Sequence, residues 1–197
     1  MPKIWVATFN ANKVKELQSI AGPEYEILSA RDVEFYSAPE ETGVTFLDNA
    51  KIKAKAFKPF AGDLDWVIGE DSGLEVEALN NLPGVHSARY AGASASDFQN
   101  NDKLLKMLNF KKTSNRKARY YCQIYAIGPR EFECNGICEG AIALTAKGQG
   151  GFGYDPLFIA NEYANEQKTM AEISLRDKNK VSHRKKAFRE FLNKIEA

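Results

Sequence analysis

Four segments of the chain combine residue types that could bind or activate a charged substrate. The first is Thr8-Phe9-Asn10-Ala11-Asn12-Lys13, where an apolar run ends and helical spacing begins. A helix N-terminus exposes unpaired backbone N–H groups and the positive end of the helix dipole, a natural receptor for phosphate. Thr8, Asn10 and Lys13 add a hydroxyl, an amide and a point charge, although the glycines of a Walker A loop are missing. The same residues also suit an ordinary capped surface helix with a solvated lysine. The second segment is acidic: Glu40-Glu41-Thr42-Gly43 and, further on, Glu70-Asp71. Carboxylates at strand ends sit where open α/β sheets place ligands, and two of them converging would offer Mg²⁺ an oxygen site to share with substrate phosphates. Capping acids in two turns would give the same spacing.

The third segment is Gly148-Gln149-Gly150-Gly151-Phe152-Gly153-Tyr154-Asp155-Pro156. Its glycines let backbone approach a ligand closely, and Phe152 offers a face on which a base could stack; a plain flexible loop is the alternative. The fourth is Lys178-Asn179-Lys180-Val181-Ser182-His183-Arg184, at the start of a basic amphipathic stretch. Lys178 and Ser182 are four apart and would share a helix face, with His183 and Arg184 beside them, while a solvated basic face explains the run equally well.

Positioning these residues requires alternating strands and helices early in the chain. Lys3 to Thr8 reads as a buried first strand, and Val14, Leu17 and Ile20 mark a helix stopped by Gly22-Pro23. Tyr25 to Leu28 is a second strand, and Phe46, Ala50, Ala54 and Phe57 line one face of a helix capped by Thr45. Trp66 to Gly69 reads as a short strand delivering Glu70-Asp71-Ser72-Gly73 into a turn. Beyond it, Leu74 to Leu79 alternates like a half-exposed strand, and a helix capped by Ser96 or Asp97 carries Leu104, Leu105 and Leu108. Arg119 to Ile127, Glu131 to Cys138 and Ala141 to Ala146 read as antiparallel strands with turns at Gly128-Pro129 and Glu139-Gly140. One last helix carries Val181, Phe188, Phe191, Leu192 and Ile195 on a single stripe. The class is mixed α/β.

Composition narrows the partners. With 197 residues, 44% hydrophobic and 27% charged, the chain can build one unstapled core and is neither disordered nor fibrous. Twenty-seven basic against 26 acidic side chains give a net charge of +1, so nothing suggests overall attraction to nucleic acid or membrane. Cys122, Cys134 and Cys138 lack zinc-site spacing and, with only two histidines, fit free thiols in a reducing cytoplasm. No signal peptide or membrane span is expected.

Seven short motifs occur in order along nearly the whole chain. They are Thr8-x-Asn10-x-x-Lys13, Glu40-Glu41-Thr42-Gly43, Asn49-Ala50-x-x-Lys53-Ala54, Asp71-Ser72-Gly73-Leu74, Pro83-Gly84-x-x-Ser87-Ala88-Arg89-Tyr90, Gly150-Gly151-Phe152-Gly153-Tyr154-Asp155-Pro156 and Ser182-His183-Arg184. This ordered set resembles the inosine triphosphate pyrophosphatase family, hydrolases of non-standard purine nucleoside triphosphates. Two positions depart from the pattern: Phe9 stands where the family often has Gly, and Glu70 where a second Asp is common. The resemblance implies an elongated, two-lobed α/β fold over residues 1–197, with a mixed sheet, flanking helices, a site in the cleft between lobes, and a homodimer, while the cytoplasmic location rests on the thiols. It also implies Mg²⁺-dependent hydrolysis of ITP, dITP and XTP to the monophosphate and pyrophosphate. Asp71 would orient and deprotonate water while touching Mg²⁺, with Glu41 as the second metal ligand. Lys13 and Lys53 would hold phosphate oxygens, with Thr8, Asn10 and the helix N-terminus at Ala11 and Asn12 completing the cradle, and Phe9 and Ser72 would also bind substrate. Phe152, with Gly153 and Tyr154, would receive the purine, and Asp155, Lys178, His183 and Arg184 would surround its edge.

Overall fold

The computed structural model describes residues 2–197. Twelve regular elements follow in chain order: β1 (Lys3–Val6), α1 (Ala11–Ala21), β2 (Glu26–Ser29), α2 (Phe46–Phe57), β3 (Trp66–Val76), β4 (Leu82–Pro83), α3 (Asp97–Phe110), β5 (Lys117–Ile127), β6 (Glu131–Ile142), β7 (Phe158–Ala160), α4 (Leu175–Val181) and α5 (His183–Glu196). One mixed sheet runs β2-β1-β3-β5-β6-β7, with β4 paired to β3. β1 is parallel to both β2 and β3, with Ile4 opposite Ile27 on one side and Trp66 on the other.

The chain divides into two compact units, the first made of residues 1–71, 122–136 and 184–197 and the second of 72–121 and 137–183. In the first unit, β-strand alternation sorts neighbours to opposite faces. Ile68 packs with Leu17 and Ile20 of α1 and Phe188 and Phe191 of α5, whereas Val67 packs with Phe57 of α2. Helices therefore cover both faces of these strands. Gly69, on the α2 side, lets that helix come close: a Cβ there would stand 1.9 Å from the Ala50 carbonyl oxygen. The second unit has its own core, in which Leu74 and Val76 of β3 meet Leu104 and Leu108 of α3, Phe158 of β7 and Val181 of α4.

Mixed α/β architecture is as expected, but three breaks are placed differently. Glu70-Asp71-Ser72-Gly73 forms no turn; it is the middle of the continuous eleven-residue strand β3. The charged pair can continue inside a buried strand because both carboxylates have cationic partners. No turn occurs at Glu139-Gly140 either, and β6 runs on to Ile142. Gly140 is in that strand because β7 lies against it, where a Cβ would come within 2.2 Å of the Ile159 carbonyl oxygen. Conversely, the expected single last helix is two helices separated at Ser182, whose backbone (φ −55, ψ 133) is not helical. The apolar stripe is split accordingly: Val181 belongs to the second unit's core, and Phe188, Phe191 and Leu192 belong to the first's. β7 carries no pattern of its own beyond a three-residue apolar run, too short to distinguish from loop.

Candidate active site

In the first unit, the end of β1 passes through Thr8 and Phe9 into α1. Asn10 is the N-cap, its Oδ1 accepting from the backbone N–H of Asn12 (2.9 Å) and Lys13 (3.2 Å), while Thr8 Oγ1 accepts from Asn10 N–H. Capping and phosphate reception are compatible here, since Ala11 and Asn12 open the helix and Asn12 is exposed. Phe9 is 41% exposed and stacks on Tyr36, with ring centroids 5.7 Å apart. Its carbonyl accepts from Arg31 Nε at 2.8 Å.

Lys13 reaches inward and pairs with Glu70 Oε2 at 2.7 Å. Glu70 is 1% exposed, and its other oxygen accepts from Arg184 at 3.2 Å and from the Cys122 thiol at 3.3 Å. Arg184 is 2% exposed and also pairs with the buried carboxylate of Glu16 on α1. Burial would raise the Glu70 pKa, but Arg184 and Lys13 outweigh it and hold this carboxyl well below its usual range. The same surroundings keep Arg184 more firmly protonated than usual, although burial alone would do the opposite.

Asp71 points to the other face of β3, toward α2. Its Oδ1 accepts from Lys53 Nζ at 2.8 Å and its Oδ2 from Asn49 Nδ2 at 3.2 Å. Asn49 Oδ1 in turn accepts from Gly43 N–H at 2.8 Å, tying the loop that carries Glu41 to α2. Glu41 Oε1 meets the same Lys53 ammonium at 3.2 Å. Asp71 is thus the reverse of Glu70. Burial is the largest influence on its pKa, and the pull of Lys53 and Lys13 does not overcome it, so the pKa is raised. Lys53, despite burial, is held above its usual value by Asp71 and Glu41.

Two hard carboxylates converging on one cation fit Mg²⁺, which takes one or two protein carboxylates and completes its shell with water and phosphate oxygens. The Lys53 ammonium occupies the position of positive charge between them. Among the described residues, no group of three or more His, Cys, Asp or Glu could enclose a metal by itself. Substrate oxygens would therefore have to contribute.

The second unit gathers Phe152, Gly153, Tyr154, Asp155, Lys178 and His183. Asp155 is buried and its Oδ2 accepts from Lys178 Nζ (2.7 Å) and from Phe152 N–H (2.9 Å). The Lys178 ammonium also lies 4.7 Å from the centre of the Phe152 ring, a cation–π distance. His183 stacks flat on Tyr120, with centroids 4.6 Å apart and planes 6° from parallel. Tyr154 is 3% exposed and part of the core, its hydroxyl donating to the Ser87 carbonyl at 2.9 Å. Ser72, half-buried, is the first residue of this unit on β3.

Sequence reasoning gave no place in the site to Glu16, Asn49, Asn101 or Tyr120, and named Asp97 only as an alternative cap to Ser96, which is the cap of α3. Glu16 was detectable as a charge four residues before the apolar Ile20, hence on the inward side of α1. Asp97 and Asn101, one helical turn apart on α3, hold both sides of Gly153: Asp97 Oδ2 accepts its N–H at 2.7 Å and Asn101 Nδ2 donates to its carbonyl at 2.9 Å. That clamp joins positions distant in sequence and has no local signal.

The Ham1 family model matches residues 4–194. The chain belongs to the Ham1 family. A dITP/XTP pyrophosphatase of Desulforamulus reducens is 44% identical, with 98% of this chain and 96% of that protein covered. One from Bdellovibrio bacteriovorus is 40% identical over 98% of both. Among solved structures, a HAM1 protein from Coxiella burnetii covers both chains completely with 35% identity and a TM-score of 0.86. The Ham1 protein of Staphylococcus aureus follows at 37% identity and a TM-score of 0.83, covering 98% of each chain. As a Ham1 member, this chain carries its charged cluster and its aromatic loop on the mixed α/β fold of its relatives.

Proposed function

We propose that this Ham1-family chain hydrolyses nucleoside triphosphates between the α- and β-phosphates, acting on dITP, XTP and ITP and releasing pyrophosphate. The observation that carries this reading is Lys53 bridging Glu41 and Asp71, an arrangement suited to a metal–triphosphate complex. Full-length similarity to dITP/XTP pyrophosphatases supports the substrate class.

Asp71 holds the attacking water and accepts its proton as the oxygen bonds to phosphorus; the α–β bridge breaks and pyrophosphate leaves. A carboxylate whose pKa is raised is a better proton acceptor near neutrality than an ordinary one. Mg²⁺ bound by Glu41 and Asp71 would supply charge neutralisation on the triphosphate. Lys13, Lys53, Ser72, Thr8 and the opening residues of α1 from Asn10 to Asn12 bind phosphate oxygens. Phe152 stacks on the purine, and Asp155, Lys178 and His183 serve its polar edge.

Arg184, whose terminal nitrogens pair with Glu16 and Glu70, would donate to the 6-keto oxygen. A donor there rewards hypoxanthine and xanthine and opposes the amino group of adenine. Arg184→Ala then narrows the ratio of kcat/KM for ITP over ATP; an unchanged ratio would remove this role. The three buried free thiols suit a reducing cytoplasm. Homodimerisation, implied by the family resemblance, is measurable by analytical ultracentrifugation. The decisive test of the function is pyrophosphate release from dITP, XTP, ITP, GTP, ATP and dUTP. Preference for the first three supports the reading, and equal or greater turnover of dUTP or ATP refutes it.

A further inference from the structure

Lys53 is held in a way that a simple phosphate-binding lysine is not. Its Nζ contacts both Asp71 Oδ1 (2.8 Å) and Glu41 Oε1 (3.2 Å), the two oxygens that would serve a metal. Asp71 cannot readily turn another oxygen to that place, because Oδ2 is engaged by Asn49, and Asn49 is itself anchored on Gly43 N–H. The ammonium is buried with Asp71, while Glu41 is half-buried, and it would not leave these carboxylates for an apolar wall.

We propose that Lys53 is a resident counter-ion of the metal site, so that divalent cation and nucleotide enter only together. This rests on the reading above, in which Glu41 and Asp71 hold the metal. A divalent cation arriving alone meets carboxylates already neutralised in part and a like charge in the same place. A triphosphate changes this, because its oxygens give the ammonium a new anionic partner as it leaves Asp71. Each ligand therefore strengthens the other's binding, by the same factor in both directions. The device keeps the carboxylates neutralised between turnovers and ties the metal to the presence of substrate.

The test is the affinity of Mn²⁺, measured calorimetrically on the intact chain with and without a non-hydrolysable ITP analogue bridged at the α–β position. Wild type is expected to bind Mn²⁺ at least tenfold more tightly with the analogue present. Lys53→Met is expected to bind Mn²⁺ alone at least tenfold more tightly than wild type and to lose most of the enhancement, while Lys53→Arg keeps the wild-type pattern. Equal Mn²⁺ affinity of wild type and Lys53→Met without analogue overturns the counter-ion role and leaves the function intact. Should Lys53→Met not fold, wild type alone decides: Mn²⁺ affinity indifferent to the analogue overturns the proposal. No Mn²⁺ binding under any condition refutes the metal site itself, and the proposal with it.

Discussion

Glu70 and Asp71 in the first unit and Asp155 in the second are all buried carboxylates, yet they are balanced in different ways. In the first unit, Glu16, Glu41, Glu70 and Asp71 share Lys13, Lys53 and Arg184, so every one of these cations has an acid partner. In the second, Asp155 pairs with the Lys178 ammonium, accepts from the Phe152 N–H and lies 3.5 Å from the Tyr120 hydroxyl, near the rings of Phe152, Tyr120 and His183. The first region is a chain of charges in which any change of charge spreads. The second is a shaped surface around the Lys178–Asp155 ion pair, where loss of a ring matters more than loss of a charge.

The largest effect should come from removing the proton acceptor. Asp71→Asn keeps the shape of the side chain and is expected to lower kcat by about 10²–10⁴, the range for a lost general base. Pyrophosphate release measured alongside circular dichroism checks it, and activity within tenfold of wild type would place the base elsewhere.

Next in size is the charge chain itself. Arg184→Met leaves Glu16 and Glu70 buried with one cation fewer and should destabilise the fold by about 3–5 kcal/mol in urea melts. Glu70 also sets a pH signature. Its folded pKa lies well below the unfolded 4.5, so its contribution is present above 4.5 and fades as pH falls through the folded value. Glu70→Gln should flatten that acid limb of the stability profile; an unaltered limb would show that the ion chain does not stabilise the fold.

Third comes the aromatic region. Phe152→Ala should weaken purine nucleotide binding by about 1–3 kcal/mol, the usual loss for one base–aromatic stack, with folding stability little changed. Unchanged KM and kcat would make Phe152 a packing residue.

The same contrast explains what was legible in the sequence. Helices α1, α2 and α3 were readable because their caps, Asn10, Thr45 and Ser96, and their apolar periodicity are local. Glu70-Asp71-Ser72-Gly73 looked like a turn because its residue types favour turns, and what keeps it extended lies elsewhere in the chain: Lys13, Lys53 and Arg184. Ser182 divides two helices whose apolar positions happen to continue one spacing, so periodicity concealed the break. Lys53 and Asp71 could be named as candidates, but their ion pair spans eighteen positions and only the fold shows it.

The smallest expected effect probes how the aromatic loop is held. Asp97 accepts the Gly153 N–H, one residue beyond Phe152, from an exposed position at the start of α3. An exposed hydrogen bond of this kind contributes about 0.5–1.5 kcal/mol net. If it sets the angle of the Phe152 ring, Asp97→Ala should raise KM for ITP by about two- to tenfold, the same energy expressed as affinity, while kcat stays near wild type. Asp97→Asn retains an acceptor oxygen and should restore most of the loss. A matching fall in kcat would mean that the loop also orders the reacting phosphates, and the separation drawn between a charge-based region and a shape-based one would then fail. A KM that does not move in Asp97→Ala would leave Asn101 and Asp155 as sufficient support for the ring, since the first donates to the Gly153 carbonyl and the second receives the Phe152 N–H.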